Sequence, residues 1–142
     1  MPALPPELLR LHHLGFVVSS IEATGNSFAN SVNGSWNGQV WHDPIQRVKV
    51  SFLTMPGTGV QMELVEPAGE QSPVLAFLEK GGGLHHLCYE VEDCDGALAA
   101  MRQRGAMIVR RPKPAVAFDG RRIAWLLTSE KLLIELLEKT AK

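Results

Sequence analysis

The 142-residue sequence predicts an α+β fold in which one unit, a strand, a helix and then two or three strands, occurs twice. The tetrapeptide Leu-His-His-Leu at residues 11–14 recurs unchanged at 84–87. A second motif, Glu-Leu-Val-Glu at 63–66, recurs as Glu-Leu-Leu-Glu at 135–138. Two different motifs repeated in the same order indicate an internal duplication.

The spacing of the motifs supports the same duplication. His13 and Glu63 are 50 positions apart, and His86 and Glu135 are 49 apart, by subtraction. The chain is long enough for one domain with a real core and too short for two ordinary domains. We therefore predict a single domain of two modules, at about 8–68 and 82–139, joined by a helical linker at about 70–81.

The first module begins with a strand at 11–18 that is rich in β-branched and aromatic residues. Ser19 or Ser20 is a suitable N-cap for the helix that follows. Asn-Gly pairs at 33–34 and 37–38, and the segment 55–59, have the composition of turns. These signals predict a helix at 21–30 and strands at 39–41, 47–54 and 60–66.

The linker and the second module show the same kinds of signal. Pro73 suits the first turn of a helix that ends near Lys80, because three glycines follow at 81–83. In the second module a helix at 93–104 ends at Gly105. The remaining pattern predicts strands at 84–91, 106–110, 121–128 and 131–137.

Composition excludes several classes of function. Hydrophobic residues make up 45% and charged residues 20%, with a net charge of −1, so a nucleic-acid surface is not indicated. No apolar run approaches the roughly 20 residues that span a bilayer, and the N-terminus lacks a secretory signal pattern. Cys88 and Cys94 do not suggest a disulfide framework. These observations predict a reduced, cytoplasmic protein without nucleic-acid or membrane partners.

Strand alternation places ionisable side chains on strand faces that could be buried in the sheet. Glu63 points to the face opposite Met62 and Leu64, and His13 to the face opposite His12. If that face is buried, a carboxylate there costs several kcal/mol unless it is paired or bound to a metal. A half-exposed sheet with polar residues facing water is the alternative.

The second module repeats this arrangement, with His86 and Glu135 on corresponding faces. Two imidazoles and two carboxylates suit one first-row divalent ion that keeps open coordination positions. We therefore predict one ion of Co, Ni, Zn or Mn, held by His13, Glu63, His86 and Glu135. The neighbouring His12 and His85 are rival ligands, although packing or an edge hydrogen bond is expected for both.

Five stretches together resemble the vicinal oxygen chelate superfamily (glyoxalase, bleomycin resistance protein and dioxygenase) and, within it, the methylmalonyl-CoA epimerases. They are residues 11–18, 62–67, 72–78, 82–91 and 133–136. The resemblance implies paired βαβββ modules that form a cupped mixed β-sheet, and it implies a homodimer. It also places the family's four metal positions on His13, Glu63, His86 and Glu135.

The activity that the resemblance implies is removal of a proton α to a (thio)ester carbonyl through a metal-stabilised enolate. Glu135 is a candidate base on one face of the carbon. The segment 44–48, which matches the place of an epimerase glutamate, contains no carboxylate. Asp43, Asp119 or a water on Gln46 are the candidates for the other face.

Other functions on the same fold stay open at the sequence level. A lactoylglutathione lyase of the glyoxalase I type uses the same metal set, so the substrate is expected to be an acyl-CoA or a glutathione adduct. A non-catalytic resistance-type binding protein usually lacks the metal quartet. An extradiol dioxygenase uses two His and one Glu, which leaves Glu63 unexplained.

Basic residues cluster near the end of the second module. Arginine suits phosphate geometry, so a coenzyme A phosphate site is one interpretation, and a solvated or edge-protecting face is the other. Trp41 and Trp125 are expected in the core. The basic cluster consists of Arg110, Arg111, Lys113, Arg121 and Arg122.

Overall fold

The computed structural model of the chain describes residues 8–140, so the N-terminal segment considered for a signal lies outside the described residues. These residues form nine strands and three α-helices in the predicted repeated order, which confirms the α+β class. The elements are β1 Arg10–Val17, α1 Ile21–Ser31, β2 Ser35–Trp36, β3 Trp41–Asp43, β4 Val48–Thr54, β5 Gln61–Pro67, α2 Leu75–Glu79, β6 Gly83–Val91, α3 Cys94–Gln103, β7 Met107–Pro114, β8 Arg122–Leu127 and β9 Leu133–Glu138. None of the helices in residues 8–140 has the length and apolar character that a membrane crossing requires.

The described residues divide into two compact units. Residues 13–85 form the first unit, and residues 86–140 with 8–12 form the second. The start of β1 therefore belongs to the second unit, where Arg10 lies 3.9 Å from Glu90 and the His12 ring lies edge-on to Phe118. The linker helix α2 lies within the first unit and starts two residues later than Pro73 because residues 73–74 form a turn.

In the first unit the strands lie in the order β2, β4, β5, β1, and β3 also pairs with β4. Strands β1 and β5 are parallel, and the other pairs are antiparallel. Helix α1 covers one face of these strands. Its N-cap is Ser20, whose hydroxyl accepts a hydrogen bond from the backbone of Ala23. The core beneath it includes Ile21, Leu53 and Leu64.

In the second unit the order is β6, β9, β8, β7, with β6 and β9 parallel. Helix α3 covers one face, and its N-cap is Asp93. The core beneath it includes Leu98 and Leu136. Strand β7 is longer than the predicted 106–110, because its hairpin with β8 continues past two register shifts until Pro114 pairs with Arg122.

The last glutamate of each repeated Glu-Leu-Xaa-Glu motif holds the N-terminus of a helix. The backbone N–H of Ile21 donates to Glu66 at 2.9 Å, and that of Cys94 donates to Glu138 at 2.9 Å. A carboxylate is favourable there because the first N–H groups of a helix lack intrahelical partners and carry partial positive charge. Each contact ties a helix to the strand that carries a predicted metal ligand.

Glu138 is the more deeply buried of the two, with no exposed surface. Its two oxygens accept from Nε and a terminal nitrogen of Arg122, at 2.9 and 2.7 Å. Arg122 also donates to Asp95 at 3.1 Å. These charge-assisted bonds raise the pKa of Arg122 above its usual value. The bidentate pair therefore connects β8, β9 and the start of α3.

We expect Glu138→Gln to lower the free energy of unfolding by about 2–4 kcal/mol, because a buried pair is broken and an amide N–H₂ faces the guanidinium. The matched variant Glu66→Gln should cost less than about 1 kcal/mol, since Glu66 and its neighbour Lys49 are both solvent-accessible. Denaturant titration of both variants measures the difference. Equal losses would contradict the structural role assigned to Glu138.

The burial of Cys94 in the core beneath α3 can be tested by the pH dependence of stability. Burial, with the negative charge of Glu138, raises the pKa of this thiol from 9.0 to about 12. Above pH 9 the unfolded chain loses the thiol proton while the folded chain keeps it, so stability should fall as pH rises toward 12. The slope from this group approaches about 1.4 kcal/mol per pH unit.

The measurement is the free energy of unfolding between pH 8 and 11 for the native chain and for Cys94→Ala. Other groups contribute equally to both, so their difference isolates the thiol. Parallel pH profiles would contradict the assignment.

Candidate metal centre

His13 and Glu63 meet on the face of the first unit that α1 does not cover. Strands β1 and β5 run parallel, so that Gly15 lies directly beside Glu63. Because His13 pairs with Gln61, two residues before Glu63, the carboxylate and the imidazole approach diagonally. Glu63 Oε1 lies 3.3 Å from His13 Nε2, and both side chains are buried. Neighbouring Leu64 points into the α1 core, as the alternation predicts.

His86 and Glu135 form the corresponding pair in the second unit. Here β6 and β9 run parallel, and the small residue Cys88 lies beside Glu135. Glu135 Oε1 lies 3.4 Å from His86 Nε2, and both side chains are again buried. The two modules therefore repeat the pairing of a histidine and a glutamate as well as their sequence motifs.

An aromatic ring lies against the histidine in each pair. Phe52 is directly opposite Glu63 on β4, and its ring lies edge-on to His13 with centroids 5.6 Å apart. Trp125 is directly opposite Glu135 on β8, and its ring lies edge-on to His86 at 4.8 Å. The prediction that Trp125 belongs to the core is wrong, because its half-buried ring lines the side of His86.

The donor atoms fit a divalent ion. Imidazole nitrogen and carboxylate oxygen are common ligands of first-row metals, at about 2.1 Å from the ion. Two adjacent ligands of one ion are then about 3.0 Å apart in octahedral geometry and about 3.4 Å apart in tetrahedral geometry. The observed 3.3 and 3.4 Å match that range. Both exceed the 2.7–2.9 Å usual for a charge-assisted hydrogen bond, so the spacing suits ligands of a common cation.

The rival histidines both contact aromatic rings. The His12 ring lies edge-on to Phe118, with centroids 5.8 Å apart, and His85 lies edge-on to Phe77 at 4.9 Å. These contacts agree with the packing role expected for both, and the preference for His13 and His86 as ligands stays a prediction.

Asp43 lies at the end of β3, where it stabilises a turn. Its Oδ1 accepts hydrogen bonds from the backbone N–H groups of Ile45 and Gln46, at 2.9 and 3.0 Å. Asp43 is paired with Val48, whereas Glu63 is paired with Phe52, four residues further along β4. Four residues of strand span about 13 Å, so Asp43 is well separated from the first His–Glu pair.

Asp119 occupies the turn between β7 and β8. It ends a 3-10 helix, Val116–Phe118, in the left-handed conformation with φ of 54°, and its side chain is exposed. Strand β8 begins at Arg122, three residues before Trp125, the residue level with Glu135. Asp119 therefore lies beyond the end of the strand, about 10 Å or more along its direction from the second pair.

The chain is similar to proteins of one known family. Residues 12–125 match the model of the Glyoxalase/Bleomycin resistance protein/Dioxygenase superfamily. The ethylmalonyl-CoA/methylmalonyl-CoA epimerase of Cereibacter sphaeroides is 36% identical over 119 residues, which cover 82% of this chain and 87% of that protein.

Solved structures give the same fold. The methylmalonyl-CoA epimerase of Mycobacterium tuberculosis superposes with a TM-score of 0.83 at 24% identity, covering 97% of this chain and 93% of that one. A Streptomyces coelicolor methylmalonyl-CoA epimerase variant in complex with 2-nitronate-propionyl-CoA has a TM-score of 0.77 at 26% identity, with 94% and 99% covered. The chain therefore belongs to the Glyoxalase/Bleomycin resistance protein/Dioxygenase superfamily, which confirms the resemblance found in its sequence.

Proposed function

We propose that the chain is an epimerase-like enzyme that removes the proton α to the thioester carbonyl of an acyl-CoA of the methylmalonyl type. The observation that carries this proposal is the buried His–Glu pair present once in each module. It occurs in a chain 36% identical to an ethylmalonyl-CoA/methylmalonyl-CoA epimerase. The chain is thus an enzyme of its superfamily, with chemistry of the isomerase class.

The proposal includes one divalent ion, Co, Ni, Zn or Mn, bound jointly by His13, Glu63, His86 and Glu135. Two carboxylates carry the charge that balances a divalent cation, and neutral imidazoles complete the set. Burial without such a cation costs each carboxylate several kcal/mol. Four protein ligands leave one or two positions of a five- or six-coordinate ion for the substrate.

When bound, the ion supplies Lewis-acid stabilisation of the negative charge that develops on the thioester oxygen as the α-proton leaves. The chain's own residues have other tasks. Phe52 and Trp125 lie beside the two imidazoles and restrict their rotation and the access of water. Glu135 is the group that accepts the α-proton and returns it when its bond to the ion loosens.

Neither Asp43 nor Asp119 is well placed to be the second proton-transfer group. Asp43 has its Oδ1 committed to two backbone N–H groups, and Asp119 lies beyond the start of β8. Glu63, in contrast, lies 3.3 Å from His13 in the first His–Glu pair. We therefore assign the second transfer to Glu63 in preference to Asp43, Asp119 or a water on Gln46.

The proposal also includes a cytoplasmic homodimer. Cys88 and Cys94 are both buried and neither is in a disulfide, as expected for a reducing compartment. The dimer follows from the family resemblance, and sedimentation of the purified chain tests it.

The metal site is tested by metal content after dialysis against Co²⁺ and then metal-free buffer. We expect one ion per chain, and at least about a hundredfold weaker retention in His86→Ala and His13→Ala, because a ligand is lost from each pair. His85→Ala and His12→Ala are matched controls and should keep the ion. Two ions per chain, or full retention in the ligand variants, would show that the pairs do not share an ion.

The activity is tested by incubating (2S)- and (2R)-methylmalonyl-CoA in D₂O. Wild-type enzyme should epimerise both and incorporate deuterium at the α-carbon. Glu135→Gln should lower exchange by about 10²–10⁴-fold, which is the usual contribution of general acid–base catalysis. Asp43→Asn keeps the turn-forming oxygen and should change exchange less than about twofold.

A large loss in Asp43→Asn would restore Asp43 as the base. Absence of exchange together with formation of lactoylglutathione from the glutathione hemithioacetal would replace the epimerase proposal by the glyoxalase alternative.

A further inference from the structure

Four of the five residues of the basic cluster fall into two groups with different surroundings; the fifth, Arg111, is exposed on β7. Arg121 donates to the Glu90 carboxylate at 2.7 Å and to the backbone carbonyl of Glu138 at 2.6 Å. Arg122 is held by Glu138 and Asp95. These two arginines are therefore part of the structure that holds β8, β9 and α3 together.

Arg110 and Lys113 on β7 differ from these two arginines in exposure and in ion pairing. Their side chains are exposed, and neither forms an ion pair with an acidic residue of the described range 8–140. Two charges are thus left without an ion-pair partner in the part of the chain that the structure describes. Each retains its full capacity to bind an external anion.

The register of β7 gives these two residues a common direction. Arg110 pairs with Trp125, and Lys113 pairs with Ile123. Directly opposite residues in an antiparallel pair point to the same face. A register shift between Arg110 and Lys113 brings two residues three positions apart onto one face, which a regular strand does not do.

That face is the one that carries the second His–Glu pair. Trp125 pairs in turn with Glu135, so that Arg110, Trp125 and Glu135 lie side by side on three adjacent strands. The Arg110 backbone is two strand spacings, about 10 Å, from Glu135 before the length of its side chain is added. The pantetheine arm separates the thioester of an acyl-CoA from its phosphates by a comparable or longer span.

We propose that Arg110 and Lys113 bind the nucleotide phosphates of an acyl-CoA whose thioester lies at the His86–Glu135 pair. The assignment rests on the proposed function and extends it, because it makes carrier recognition a property of strand β7. Guanidinium and ammonium groups suit phosphate oxygens. A glutathione adduct has no phosphate for them, so the same residues discriminate between the two carriers.

The test compares Arg110→Gln/Lys113→Gln with the wild type on two substrates. One is methylmalonyl-CoA, and the other is its N-acetylcysteamine thioester, which has the same acyl group but no nucleotide. We expect KM for the CoA substrate to rise about tenfold or more, since loss of charge-assisted bonds to phosphate weakens binding. KM for the short thioester and kcat for both should stay within about twofold. Arg102→Gln, an exposed arginine on α3, is the charge control.

A second readout does not depend on turnover. Calorimetric titration with CoA itself should show about a tenfold weaker Kd in the double variant, a smaller salt dependence and no change in Arg102→Gln. Equal KM for the CoA substrate in variant and wild type, or an equal rise for both substrates, would overturn the assignment. If the wild type turns over neither substrate, the proposed function fails, and the CoA titration alone then decides whether Arg110 and Lys113 bind the nucleotide.

Discussion

The burial of a carboxylate beside an imidazole, once in each half of the chain, is the constraint on which the rest of the structure depends. Glu63 and Glu135 are removed from water on strands whose other residues are largely apolar. Such a position is unfavourable unless a positive charge is close. In each unit the donor atoms of the pair lie 3.3 or 3.4 Å apart, a spacing that suits two ligands of one cation.

The two glutamates of the repeated Glu-Leu-Xaa-Glu motif have different roles on opposite faces of the sheet. Its two glutamates are three positions apart, so they point to opposite faces of the strand. Glu63 and Glu135 face the histidines, whereas Glu66 and Glu138 hold the N-termini of the two covering helices. Each helix is thereby fixed to the strand that carries the ligand. The bidentate pair with Arg122 makes this connection stronger in the second unit.

Much of the candidate site follows from local patterns that the sequence displays. Strand alternation puts His13 on the face opposite His12 and Glu63 on the face opposite Met62 and Leu64, and the duplicated motifs single out His86 and Glu135. The roles of Phe52 and Trp125 were not accessible in this way, because an aromatic residue in a strand suits the core equally well. Only the pairing register places each ring opposite a glutamate. The turn at Asp43 likewise depends on backbone N–H groups whose direction the composition does not reveal.

The sequence by itself determined the main order of strands and helices, the internal duplication and which two histidines and two glutamates form the buried pairs, because these depend on local periodicity and repeated spacing. Tertiary structure decided which charges are partnered. Arg121 and Arg122 find carboxylates on β6, β9 and α3, whereas Arg110 and Lys113 find none among residues 8–140. The physical reason is that ion pairing and strand register join residues far apart in the chain. A register shift in β7 changes the direction of a side chain without leaving a trace in the pattern of residues.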